Sequence, residues 1–293
     1  MGFGSIFFFF FLIYASIQSF PKRGQAVFMG IANSIGMLAW IVANLSIQYL
    51  KELFGIEVVS CMALVIMIYM GMTIHSLFKK QTKNKVQLSN AFILVLKDKI
   101  SWCFAFVSLG FYSATFIFGT TWGNSFLMEV YGLSAEIIGS ISQLVFWGLG
   151  IGAPLIGYLS DRFLQRKVFI LALNFTALIS IGAILYFSPM PIYLLGALSF
   201  ITGVCSSGYL LLYTLFIDYN HPKVQAATAI FISSIVFVGS IIIESQFEFP
   251  FLFVLLAITG IFALRLKDSP PEMEESKEKL EKLLAAGERI SNS

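Results

Sequence analysis

Long apolar stretches alternate with short polar breaks along almost the whole chain. A helix needs about 20 mostly apolar residues to cross a bilayer. That rule predicts spans over 3–20, 25–50, 56–78, 101–119, 138–157, 168–187, 191–216, 224–243 and 249–265. The breaks carry turn formers or charge, as in Pro21-Lys22-Arg23-Gly24, Lys51-Glu52, Ser188-Pro189-Met190-Pro191 and Asn220-His221-Pro222-Lys223. The first stretch, with Phe7 to Phe11, has neither a basic start nor a small-residue cleavage site. It reads as a span, not a signal peptide. Two segments fall outside the pattern. Residues 79–99 begin basic and turn amphipathic over 86–96, which predicts a helix lying along the membrane interface. Residues 268–293 place Glu275 with Lys279 and Glu278 with Lys282 at helical spacing. They predict a solvated helix or a disordered tail, since Leu280, Leu283 and Leu284 make a stripe too short for a coiled coil.

Composition agrees. Of 293 residues, 58% are hydrophobic and only 12% charged, with a mean hydropathy of +0.85. So few charges cannot coat a water-facing surface. Thirty-one phenylalanines exclude a disordered chain. A net charge of +3, with basic residues scattered between apolar runs, excludes a nucleic-acid partner. The expected fold is an all-α polytopic membrane protein with about nine transmembrane helices, in contact with the lipid bilayer.

Charge placement tests the helix count. Lys and Arg collect on the cytoplasmic side. If the 21–24 loop is inside, alternate loops and the start of the tail hold Lys22, Arg23, Lys79, Lys80, Lys83, Lys85, Lys97, Lys99, Arg162, Arg166, Lys167, Lys223, Arg265 and Lys267. The outside loops then hold Lys51 alone, with Glu52, Glu57, Glu129, Glu136, Glu244 and Glu248. This predicts a cytoplasmic C-terminus in a bacterial inner (plasma) membrane.

Chemistry is sparse. Cys61, Cys103 and Cys205 each sit in an apolar run, with no disulfide or zinc spacing. Gly148, Gly150 and Gly152 lie inside a span with no strand before them, which reads as close helix packing and not a nucleotide loop. No Ser/His/Asp set, Walker motif or metal cluster appears, so neither an enzyme nor a cofactor is expected. No carboxylate lies mid-span: Asp98, Asp161 and Asp218 fall at one set of helix ends.

After the fifth span comes Gly157-Tyr158-Leu159-Ser160-Asp161-Arg162-Phe163-Leu164-Gln165-Arg166-Lys167. This resembles the cytoplasmic loop motif of the major facilitator superfamily, although Leu164 stands at the turn glycine and Gln165 at a basic position. The resemblance implies a latch that forms in one state of a carrier and breaks in the other. Gly157 would let two helices approach closely, and Asp161 would face the positive end of a neighbouring helix. Arg162, Arg166 and Lys167 would bridge carboxylates or lipid phosphates.

The superfamily has twelve helices in two halves of six, and the motif with four spans after it occupies the position following helix 8. On that alignment the chain is similar to helices 4–12. The implied organisation is a partial three-span bundle over 1–78 and a cytoplasmic connector over 79–100. A complete six-helix bundle over 101–266 and a charged tail over 267–293 follow. Trp122 to Leu127 and Tyr131-Gly132-Leu133-Ser134 resemble bacterial relatives of the lysosomal dipeptide transporter branch. The resemblance implies transport of a small-molecule solute, dipeptide-like or otherwise polar, by alternating access. Its candidate pathway residues are Tyr112, Thr115, Thr120, Trp122, Asn124, Gln143, Ser207 and Tyr213, an uncharged set suited to hydrogen bonding and stacking. The alternatives are a non-transporting remnant, or one chain of a split carrier whose partner supplies the first helices.

Overall fold

The computed structural model describes residues 24–39, 42, 54–55, 57–58, 88–163, 165–220 and 224–266. The expected first span, nearly all of the third, the last part of the second, and the charged tail lie outside them. Every regular element among the described residues is helical. In chain order these are α1 (Gln25–Ala39), α2 (Leu88–Lys97), α3 (Lys99–Ile117), a π-helical turn (Phe118–Trp122), α4 (Gly123–Tyr131) and α5 (Ala135–Phe163). Then come α6 (Arg166–Tyr186), α7 (Ile192–Ser206), α8 (Gly208–Tyr219), α9 (Gln225–Gln246) and α10 (Pro250–Leu264). Five continuous apolar helices are long enough to cross a membrane: Lys99–Tyr131, Ala135–Phe163, Arg166–Tyr186, Ile192–Tyr219 and Ala227–Gln246.

The α3–π–α4 unit forms the centre of the bundle. It starts at Asp98, whose carboxylate accepts from the Ile100 and Ser101 amides at 3.3 and 3.1 Å and so satisfies two orphan donors of the first turn. From Val107 to Gly119 every residue is buried, because α7, α8, α9 and α10 all pack around it. A helix apolar on all sides belongs in such a place. Phe104 stacks on Phe216 of α8 with ring centres 4.6 Å apart. The sequence pattern predicts a span ending near residue 119, but the helix runs on to Tyr131. The π turn carries it past Gly119 and Gly123, where an ordinary helix signal fades.

α5 and α7 cross closely because glycines remove side chains at the contact. A Cβ at Gly203 would strike the Val145 carbonyl, one at Gly148 the Phe200 carbonyl, and one at Gly152 would lie 2.8 Å from Val204 Cα. In lipid, helices associate by packing and interhelical hydrogen bonds more than by expulsion of water, so small residues at crossings matter more. The polar part of that glue joins α6 to α10, where Asn174 Nδ2 donates to Thr259 Oγ1 at 3.2 Å.

The amphipathic segment over 86–96 holds the helix α2, Leu88–Lys97. It turns Val95 inward and sets Phe92 edge-on to Phe231 of α9, leaving Ile93 and Leu96 exposed. Large apolar residues cover much of the outer surface, including Phe175, Ile179, Ile241 and Ile261. Tyr186, Phe187 and Tyr193 gather where α6 ends and α7 begins, 68%, 76% and 80% exposed. In water such a surface would aggregate; against acyl chains it is solvated.

Gly203→Val is expected to cost about 1–3 kcal/mol or more through overpacking. Gly139→Ala, with nothing within 4 Å of the added methyl, is expected to stabilise by about 0.5–1 kcal/mol through helix propensity. Unfolding temperatures of the two purified variants in detergent, one lowered and one raised, check this.

Candidate functional site

The charged end of the bundle is built around one carboxylate. Helix α1 begins after Gly24, whose φ of +128° lies where side chains are disfavoured. Glycine brings no side chain to cap the helix. The missing acceptor comes from α5: Asp161 Oδ2 accepts from the Gly24 amide at 3.0 Å and the Val27 amide at 3.1 Å. These are the N-cap and N3 donors that a capping box would satisfy locally. A carboxylate there also meets the positive end of the helix dipole. Gly157, one turn before Asp161 on the same face, lets α1 come close enough, since a Cβ there would lie 2.6 Å from the Ala26 carbonyl oxygen. Gly30 does the same against the Ala153 carbonyl, and Ser34 Oγ donates to the Gly150 carbonyl at 2.5 Å.

The other oxygen of Asp161 faces Arg166. Arg166 opens α6 and reaches Asp161 Oδ1 at 3.2 Å and Asp218 Oδ2, at the end of α8, at 2.5 Å. The side chains of Arg166 and Asp161 are 5% and 7% exposed, so this is a buried ion network. It links α1, α5, α6 and α8 at one point. Three of the five motif residues, Gly157, Asp161 and Arg166, thus meet. Arg162 is exposed, its guanidinium 6.0 Å from the ring of its neighbour Phe163, and Lys167 is partly buried. Leu164, at the motif's glycine position, lies outside the described residues. Sequence shows Asp218 only as a carboxylate at a helix end; its pairing with Arg166, 52 residues away, has no local signal.

The pathway residues divide. Tyr112, Thr115, Trp122, Ser207 and Tyr213 are buried, whereas Thr120 and Gln143 are exposed. Several serve the backbone. Thr120 Oγ1 donates to the Phe116 carbonyl, Thr121 Oγ1 to that of Ile117 at 3.2 Å, and Asn124 Nδ2 to that of Thr120 at 2.7 Å. These bonds surround the π turn, whose altered ladder leaves carbonyls to be satisfied. Asn124 Oδ1 in turn accepts from Ser142 of α5. Ser207 Oγ donates to the Val204 carbonyl at 2.7 Å, where the α7–α8 helix breaks.

A second group does meet between helices. Tyr112 of α3 stands edge-on to Tyr209 of α8 at 6.3 Å, and Tyr209 edge-on to Tyr213 at 6.2 Å. The Tyr209 hydroxyl donates to Asn33 Oδ1 of α1 at 2.6 Å, and the Tyr213 hydroxyl pairs with Ser233 of α9 at 3.2 Å. Asn33 is a residue that sequence reasoning misses: a single Asn in an apolar run carries no pattern.

A bundle of helices long and apolar enough to cross a membrane, with hydrogen-bonded polar groups inside and a charged knot at one end, defines a multi-pass membrane protein. The family model for the Major Facilitator Superfamily matches residues 1–236 and, in a second alignment, 104–291. The chain therefore belongs to the major facilitator superfamily of membrane transporters, with a solute and a lipid bilayer as its partners. No curated relative matches it.

Removing one partner of a buried ion network leaves the others uncompensated, at about 3–5 kcal/mol. Arg166→Gln, which strands both Asp161 and Asp218, is expected to lower the unfolding temperature of the detergent-solubilised protein more than Asp218→Asn does. Equal losses would mean that Arg166 does not balance both carboxylates.

Proposed function

We propose that the chain carries a small polar solute across the membrane by alternating access, one group of helices rocking against the other. The observation that supports this most is the seating of the α1 start on Asp161. Two amide bonds, a helix dipole and an ion network converge on a single carboxylate, so the contact forms or breaks as a unit, as a two-state latch must. In this reading α1 belongs to the bundle of residues 1–78 and crosses with two others. Residues 79–100 connect it to the six-helix bundle of 101–266, for about nine crossings in all, and 267–293 form the tail. The end carrying Asp161 and the C-terminus face the cytoplasm of a bacterial inner membrane. Gly157, Asp161 and Arg166 make the latch, and Arg162 and Lys167 engage lipid phosphates beside it. A dipeptide-like solute, a non-transporting form and a separate chain supplying further helices rest on the sequence resemblance alone.

Asp161→Asn keeps an acceptor for the amides but removes the charge. For a shift of about 1–2 kcal/mol in the closed state, the open population rises roughly five- to thirtyfold. In proteoliposomes of the full chain, uptake of labelled dipeptides and sugars is expected to change accordingly, and a Val27→Cys thiol to become more reactive. Unchanged uptake together with unchanged reactivity would refute the latch. In intact cells, a Lys167→Cys thiol is expected to resist an impermeant maleimide until the membrane is opened.

A further inference from the structure

Asn33 is 1% exposed, and its Nδ2 has no hydrogen-bond partner. Its Oδ1 holds the Tyr209 hydroxyl, so whichever way the amide is turned, one end goes unanswered. A buried polar group left unsatisfied asks for an explanation. Here it has company. On α3, Ser108, Tyr112 and Thr115 follow the i, i+4, i+7 spacing of a single helical face. The hydroxyls of Ser108 and Thr115 are fully buried and also unpartnered, and Tyr112 of that same face meets Tyr209. Buried polar atoms of α1 and α3 without a hydrogen-bond partner thus accompany a cluster of tyrosine rings.

The depth is also informative. Asn33 lies nine residues along from Gly24, and Tyr209 nine residues back from Asp218. At 1.5 Å per residue both stand about 13 Å from the charged knot, near the middle of a hydrocarbon layer about 30 Å thick. Among the described residues, the buried charged side chains are Asp161 and Arg166, both in the knot. At the depth of the cluster the described helices offer an ionic solute no buried charge to pair with, while they offer a neutral one hydroxyls and an amide.

We infer that Asn33 and Tyr209, with Tyr112 and Thr115 beside them, form the recognition point for a small uncharged solute rich in hydroxyl or amide groups. Its binding replaces the Asn33–Tyr209 hydrogen bond. The solute supplies an acceptor for the Asn33 amide and takes over the tyrosine hydroxyl, and the rings flank its apolar edges. Because that bond joins α1 to α8 across 176 residues of sequence, replacing it loosens the same pair of helix groups that Asp161 holds. The inference deepens the transport reading by naming the solute class, but binding can be measured without flux.

Cys205, 3% exposed and one turn before Tyr209, is a native reporter. In the full chain carrying Cys61→Ser and Cys103→Ser, reconstituted in nanodiscs, the rate of Cys205 alkylation by N-ethylmaleimide is measured. Glucose and N-acetylglucosamine serve as neutral probes, glutamate and lysine as charged ones. The neutral probes are expected to change the rate at least about threefold, against little change with the charged probes. Tyr209→Phe, which keeps the ring, and Asn33→Leu, which keeps the size, are each expected to abolish the response while retaining the helical circular dichroism of the parent. The inference is overturned if no neutral probe alters the rate, if the charged probes act equally, or if the response survives in either folded variant. Should one variant lose its helical signal, the other variant and the solute comparison decide. A response without flux in proteoliposomes would uphold recognition and sink transport; flux indifferent to both substitutions would do the reverse.

Discussion

Everything at the charged end rests on a carboxylate that caps a helix other than its own. Asp161 supplies to α1 what Gly24 lacks, an acceptor for the first-turn amides. A cap carried on the same chain segment would secure α1 whether or not α5 were near. A cap supplied from α5 makes the order of the α1 start conditional on docking. Gly157 and Gly30 permit the approach, and the ion pair with Arg166 holds the carboxylate in position. The geometry therefore couples a local event, satisfaction of two amides, to a global one, contact between groups of helices.

Deeper in the bundle the logic changes from charge to neutral hydrogen bonding. Burying an ion mid-membrane is costly, and the buried charges Asp161 and Arg166 sit together at a helix end, beside Asp218. Above them the described helices rely on hydroxyls and amides. Most of these bond to backbone carbonyls a turn away, as Thr202 does to Leu198 and Ser206 to Thr202. Those groups hold the scaffold. The tyrosine cluster with Asn33 differs from these, because its bonds run between helices and leave the Asn33 amide donor over.

Much of the helical architecture can be read directly from the chain. Apolar runs long enough to span hydrocarbon leave little freedom, so the starts of α6, α7, α9 and α10 fall within two residues of the pattern's edges. The π turn could not be read. Thr120 and Asn124 look like cavity polar groups in the bare sequence, yet they bond the carbonyls of a distorted helix. Nothing in Phe118 to Trp122 announces an extra residue in the turn. The charges of the 157–167 segment are legible as a group. That Arg166 turns inward while Arg162 does not depends on helix phase across the break at Gln165, where α6 begins afresh. Asn33 and Asp218 gain their partners from residues 176 and 52 positions away, and only the packed fold brings such pairs together.

The exposed aromatics at the far end of α6 carry a consequence for how the molecule sits. Arg166 is locked into the ion knot at one end of that helix, and Tyr186 stands 20 residues on at the other. That separation is about 30 Å, close to the thickness of the acyl layer. Tyrosine favours the headgroup level, and Tyr193 lies beside the same turn. The helix is thus a ruler with a fixed mark at each end, so the bundle has little latitude to bob up or down. In the proposed alternating-access cycle, movement would then come from tilting about this calibrated post.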